Sequence, residues 1–105
     1  NVGDNCRIDN FSWLRAWGEG INMKSNCTLN QYSMIQGPVN LGDGVRIGAH
    51  TLIIASQHIT KDTKIEIYKQ GVSWKGITIG DDVWIGAGSI ILKESKIGKK
   101  FKKIY

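Results

Sequence analysis

Every sixth residue along most of this chain is aliphatic. The series runs Val2, Ile8, Leu14, then Met23, Leu29, Ile35, Leu41, Ile47, Ile53, then Ile79, Ile85, Ile91, Ile97: thirteen slots and thirteen aliphatic side chains, although only 28 of the 105 residues are aliphatic. On an α-helix six residues sweep about 600°, so such a series would point in three directions and leave no single apolar stripe. In an extended chain six is an even number, and every slot returns to the same face. Glycine often follows, at Gly3, Gly42, Gly48, Gly80, Gly86 and Gly98, where it permits a sharp change of direction. Four residues after the aliphatic slot the side chain is usually small: Cys6, Ser12, Cys27, Ser33, Val39, Val45, Thr51, Val83, Ser89, Ser95. Short strands joined by tight corners follow. Three hexads make a triangular coil of eighteen residues, and stacked coils fill their centre with the aliphatic slots. The expected fold is all-β, a parallel β-helix of about four triangular coils over residues 1–105.

Composition narrows the functions open to it. A chain of 105 residues has room for one domain. At 41% hydrophobic and 22% charged it is too apolar for a disordered segment. No apolar run approaches the 18 or so residues of a transmembrane segment, and no charged-then-apolar leader opens the sequence, so it reads as cytoplasmic. Much of the net charge of +5 is local. Lys93, Lys96, Lys99, Lys100, Lys102 and Lys103 crowd the end with no aromatic interleaving or recognisable module, so nucleic acid is not an expected partner. The cluster reads either as a solvated end or as an anionic-ligand site. Cys6 and Cys27 are too few and too far apart for a zinc motif or a disulfide framework. They occupy equivalent slots in adjacent coils, which predicts free thiols stacked inside. Asn1 falls inside a repeat, and the expectation is a chain trimmed at both ends.

Two breaks interrupt the period. From Leu14 to Met23 the step is nine, so three extra residues bulge near Trp17 to Gly20. From Ile53 to Ile79 it is twenty-six, which leaves twenty residues outside the repeat. Residues 54–76 are expected to protrude as a loop, and a structureless excursion of that length is usually functional. It opens Ala55-Ser56-Gln57-His58.

The phrases Leu41-Gly42-Asp43-Gly44-Val45 with Arg46-Ile47-Gly48, and Ile79-Gly80-Asp81-Asp82-Val83-Trp84-Ile85-Gly86-Ala87-Gly88-Ser89, resemble the hexapeptide-repeat acyltransferases. The likeness spans nearly the whole chain, and Gln70-Gly71 is similar to the sugar and polysaccharide O-acetyltransferases beside the maltose and galactoside acetyltransferases. It implies a left-handed β-helix; the period alone carries no hand. It also implies acetyl-CoA as co-substrate, a sugar or polysaccharide-precursor hydroxyl as acceptor, and a homotrimer with each site between neighbours.

In that family a loop leaves the same corner with a catalytic His near its start, and His58 occupies that place. Imidazole titrates near the working pH, so it can take the acceptor hydroxyl's proton as the oxygen attacks. The plainer reading is a loop residue serving its own turn. His50 reads as an ordinary corner histidine, and two histidines fall short of the three zinc ligands of a related β-helical carbonic anhydrase, so no metal is expected. Asn30 matches a family Asn that contacts the acceptor, or else is a left-handed corner residue. Trp84 matches an active-site Trp, or else packs on the next protomer. Gly86, Ala87 and Gly88 match a stretch along the pantetheine arm, or else serve the corner. Trp13, Trp17 and Trp74 stack on sugars or line an interface. After Ile97-Gly98 the family continues with another coil that contacts coenzyme A, where this chain reads Lys99 to Tyr105. The competing expectation is therefore a non-catalytic β-helix scaffold, or a degenerate fragment that has lost coenzyme binding.

Overall fold

The computed structural model describes residues 1–93 and 96–98. The first coil carries β1 (Arg7–Ile8), β2 (Trp13–Arg15) and β3 (Ile21–Met23), and the second β4 (Thr28–Leu29), β5 (Met34–Gln36) and β6 (Val39–Leu41). The third carries β7 (Arg46–Ile47) and β8 (Leu52–Ile54), then an excursion of β9 (Ser56–His58), α1 (Ile67–Gln70) and β10 (Val72–Trp74), before closing on β11 (Ile77–Ile79). The fourth is β12 (Trp84–Ile85), β13 (Ile90–Leu92) and β14 (Lys96–Ile97). Strands stack into three parallel sheets: a first face β1-β4-β7-β12, a second face β2-β5-β8-β13 and a third face β14-β11-β6-β3. The molecule is a left-handed parallel β-helix of four triangular coils. No helix among the described residues is long and apolar enough to cross a membrane.

The period of six translates directly into the core. Leu29, Ile35, Ile47, Ile53 and Ile85 are each 0% exposed, and Ile79 is 1%. Register keeps them in columns, Leu29 beside Ile47 and Ile47 beside Ile85. The small residues four places on, Cys27, Ser33, Val39, Val45, Thr51, Val83 and Ser89, are buried too, because they also face inward. A hydroxyl there costs stability unless it finds an acceptor. Ser33 Oγ donates to the Gly48 carbonyl at 2.9 Å, Thr51 Oγ1 to Gly86 at 3.3 Å and Ser89 Oγ to Gly86 at 2.7 Å. Four slots at the two ends depart from the pattern: Val2 and Ile8 are exposed and Leu14 and Ile97 only half-buried, since among the described residues no coil stacks above the first or below the fourth.

The corners explain the glycines. An added Cβ on Gly48 would sit 2.5 Å from the Ala87 backbone nitrogen of the next coil. Left-handed corner positions are taken by Asn5, Phe11, Asn26, Tyr32, His50 and Asp82 as well as by glycine. Asn30 is not among them, which corrects its corner reading; the left-handed residue there is Tyr32, two places on. Phe11, Tyr32 and His50 form a ladder, each ring 5.1 Å from the next and within 9° of parallel. His50 is thus a corner residue with a stacking partner.

Cys6 and Cys27 are free thiols in adjacent coils, Cys6 half-buried and Cys27 buried. Each sulfur lies against a carbonyl of the coil below, Cys6 Sγ on Lys24 at 3.2 Å and Cys27 Sγ on Gly42 at 3.1 Å. Burial pushes the Cys27 thiol up, and the neighbouring Cys6 adds to the rise. Its contribution to stability is complete below the pKa of the unfolded thiol, and is lost as pH climbs from there through the raised folded value. In native protein a thiol reagent should label Cys6 and leave Cys27 until unfolding. Urea titration should find Ile47→Ala less stable by about 2–5 kcal/mol through the cavity left between coils, and Gly48→Ala by about 1–3 kcal/mol through overpacking. An unchanged Gly48→Ala midpoint would contradict the close coil approach.

Candidate active site

The excursion leaves the corner between the second and third faces. Ile54 still belongs to the coil strand and Ala55 is fully buried, so the departure starts at Ser56. The stretch read from sequence as structureless carries an antiparallel ladder, with Ser56 opposite Trp74, Gln57 opposite Ser73 and His58 opposite Val72. From Thr60 to Lys69 every residue is exposed, so the ribbon stands off the prism. Its tip is tied by one side chain: Gln70 Nε2 donates to the carbonyls of Asp62 and Ile65 at 2.8 and 2.7 Å, while its Oε1 accepts from the Asp62 N–H at 3.2 Å.

The ribbon's base is braced by the other register break. Leu14 lies on the second face and Met23 on the third, so the extra residues near Trp17 bulge from the same corner as the ribbon. Trp17 packs on Trp74 with ring centroids 4.6 Å apart, and the Arg15 guanidinium lies 4.6 Å from the Trp17 ring and 5.5 Å from Trp13. Aromatic and cation–π contacts of this kind add to simple burial. Gln36 Nε2 also donates to Ser56 Oγ at 2.8 Å, where the ribbon starts. Of the three tryptophans that sequence left between sugar stacking and an interface, Trp13 and Trp17 flank the Arg15 guanidinium and Trp74 packs on Trp17. Position within the triplet of hexads was the available signal, since both breaks fall at the step from second to third face.

His58 ends β9 with its side chain exposed. It lines a cleft of about 410 Å³ with Gln57, Ile59, Thr60, Lys61, Ser73, Lys75 and Lys93. The three lysines come from the outgoing ribbon, the returning ribbon and the fourth coil. Sequence pointed to Lys93 only as part of a terminal cluster; Lys99, Lys100, Lys102 and Lys103 lie outside the described residues.

The remaining sequence candidates stand elsewhere. Asn30 and Gly86 to Gly88 sit at the corner between the first and second faces, and Trp84 lies on the first face in register with Arg46. Asn30 Nδ2 donates to the Ile47 carbonyl at 2.8 Å, and its own carbonyl accepts from Ser12 Oγ at 3.1 Å, so it ties three coils together. Trp84 is 48% exposed. Gly86 is buried, while Ala87 and Gly88 face solvent with open space beside the Gly88 Cα. Within one chain, then, His58 stands at one edge of the second face and Asn30 with Gly86 to Gly88 at the other, while Trp84 stays on the first face. The structure does not bring them together. Among the described residues no group of three potential metal ligands forms.

No family model matches the chain. The bifunctional protein GlmU of Trichodesmium erythraeum (strain IMS101) is 34% identical over 97 residues, which cover 88% of this chain and 20% of that protein. AntD, an N-acyltransferase from Bacillus cereus whose crystal structure holds dTDP and 3-hydroxybutyryl-CoA, shares the fold with a TM-score of 0.75 at 20% identity. That match covers 99% of this chain and 61% of AntD. The chain therefore spans a fifth of the length of the curated relative it matches and about three fifths of the solved structure.

The brace generates a direct expectation. Trp74→Ala should speed amide exchange across β9 and β10 while leaving that of β4, β7 and β12 unchanged, because the ribbon loses its aromatic anchor but the coil core is intact. Uniform exchange in both regions would contradict a ribbon held from Trp17.

Proposed function

We propose that this chain belongs to the hexapeptide-repeat acyltransferases and transfers the acetyl group of acetyl-CoA to a hydroxyl of a sugar or polysaccharide precursor, as a homotrimer with His58 as general base. The observation that carries the reading is the contrast between the prism's three outer faces. The first face presents Arg7, Thr28, Arg46 and Trp84, and the third Asn22, Asn40, Thr78 and Lys96. The second face instead presents Trp13, Met34, Leu52 and Ile90 in one column, with Arg15, Gln36, Ile54 and Leu92 in the other. Ile90 and Leu92 are more than half exposed. A run of partly exposed apolar side chains along one face supports reading that face as an interface.

Three prisms set around a three-fold axis with second faces inward meet edge to edge. One edge of that face carries the His58 ribbon, and the other carries Asn30 and the Gly86 to Gly88 turn. The rotation sets His58 of one protomer beside the Asn30 corner of the next, so the residues that stand apart in one chain come together between two. The fold match to an enzyme whose crystal structure holds 3-hydroxybutyryl-CoA supports an acyl donor of coenzyme A type.

In the transfer, the acceptor O–H proton moves to a ring nitrogen of His58 as the oxygen attacks the thioester carbonyl carbon. The tetrahedral adduct then expels the coenzyme A sulfur as the C–S bond breaks, and the thiolate receives the proton from the imidazolium. Positioning contributes as much as the base does, because two bound substrates must meet in line. Ala87 and Gly88 leave an unobstructed turn along which a pantetheine arm can lie, and Trp84 offers a flat wall nearby.

Replacing His58 with Ala should lower turnover by roughly 10²- to 10⁴-fold with little change in coenzyme affinity. The fold should survive, since the side chain fills no core slot. The assay uses acetyl-CoA with a panel of hydroxyl and amino acceptors, and near-full activity of the variant would remove His58 from the mechanism. Ile90→Asp should convert a trimer to a monomer by light scattering with its circular dichroism unchanged. A wild-type chain that neither binds coenzyme A at millimolar concentration nor transfers an acetyl group would favour the scaffold reading instead.

A further inference from the structure

We infer that the corner between the first and second faces carries a slot for a nucleobase, which stacks on the open face of His50 in the rung that Gly88 leaves without a side chain. The inference goes beyond the acyl-transfer reading and stands on the corner's own rings.

Two corners of the prism repeat one left-handed position, three residues after an aliphatic slot. At the corner between the third and first faces it is held by Asn5, Asn26, Gly44 and Asp82, residue types for which a positive φ is least unfavourable. At the corner between the first and second faces it is held by Phe11, Tyr32, His50 and Gly88. A bulky ring is strained there, yet Phe11 and Tyr32 have φ of 62° and 60°. Neither fills the core, since Phe11 is 74% exposed and Tyr32 54%. Strain kept where no core contact rewards it points to a use.

The rings hold one another. Their 5.1 Å steps follow the coil repeat, and all three lie within 9° of parallel from one to the next. The series stops at the fourth coil. There the Gly88 N–H bonds the Ala49 carbonyl at 2.9 Å, just as the His50 N–H bonds the Gln31 carbonyl at 3.0 Å, so the two corners correspond rung for rung. A Cβ on Gly88 would meet nothing within 4 Å. Among the described residues Tyr32 is the ring against His50, and the other face of the exposed imidazole looks onto a space one coil step deep beside the Gly88 turn. A flat heteroaromatic ring entering that space continues the stack. Aromatic pairs favour offset parallel packing, and every nucleobase offers a π-face to such a platform. The ladder is already ordered, so little side-chain freedom is lost on binding.

Nucleobases come with the acceptor or with coenzyme A, and the test separates the two. The chain has two histidines, so ring-proton resonances, assigned with His58→Gln, report His50 directly. Titration with uridine 5′-monophosphate and with adenosine 5′-monophosphate should move the His50 ring protons upfield through the ring current of the base, whereas ribose 5-phosphate at the same concentration should not. His50→Asn keeps a residue suited to the left-handed corner but removes the platform, and should weaken nucleotide binding about ten-fold. Gly88→Tyr fills the rung with a ring of its own and should abolish binding with circular dichroism unchanged. Coenzyme A that itself moves His50 upfield and displaces uridine 5′-monophosphate assigns the base to the donor; a uridine 5′-monophosphate shift that persists at saturating coenzyme A assigns it to the acceptor. Equal response to ribose 5-phosphate, a shift of the Phe11 ring in place of His50, or unchanged nucleotide affinity in His50→Asn would overturn the inference. A chain that stacks a nucleotide on His50 yet transfers no acetyl group would refute the transfer reading and leave this one standing.

Discussion

A strand of two or three residues holds no structure by itself, and each coil here is made of little else. What fixes it is the inward aliphatic side chain of every hexad resting on its equivalent in the coil above and below. Burying one such side chain contributes about 1.5–3 kcal/mol, and the parallel register repeats the contact down each column. Everything else follows from keeping that column intact. The corners need left-handed residues, the close approach of Gly48 to Ala87 forbids a Cβ, and the hydroxyls of Ser33, Thr51 and Ser89 must bond carbonyls of the corners because they too point inward.

A prism built this way has three outer surfaces that the core does not constrain, and it has differentiated them. Two are polar. The second is mostly apolar and is flanked by the two corners proposed to carry the chemistry. The tilted contact between Trp17 and Trp74 braces the ribbon at one edge, and the Asn30 amide knits coils together at the other. Proposed assembly and proposed site are therefore one statement: covering the apolar face closes the distance between His58 and the Gly86 to Gly88 turn.

The core was legible because its signal is local and repeated. Thirteen slots agree with one another, so no single residue has to be read correctly. His58 was locatable only as a residue near the start of a break, and the family likeness supplied its role. The antiparallel pairing of Ser56 to His58 with Val72 to Trp74 was not legible, since three-residue partners separated by a long tip leave no periodicity to detect. The contact of Trp17 with Trp74 joins positions far apart in sequence and could be seen only once both breaks were assigned to the same corner. The lysine cleft was hidden for the same reason: Lys61, Lys75 and Lys93 share no spacing, and the topology alone gathers them.

Subunit mixing shows whether the proposed site is completed across two chains. His58→Ala removes the proposed base from one edge of the second face, and Ala87→Trp blocks the turn at the other. Each variant should be inactive alone. After the two are unfolded together and refolded as mixed trimers at equal ratio, about a quarter of the interfaces pair an intact His58 with an intact turn from the neighbouring chain. Recovery of activity toward that fraction is the result the account predicts; mixed trimers as inactive as their parents would contradict it.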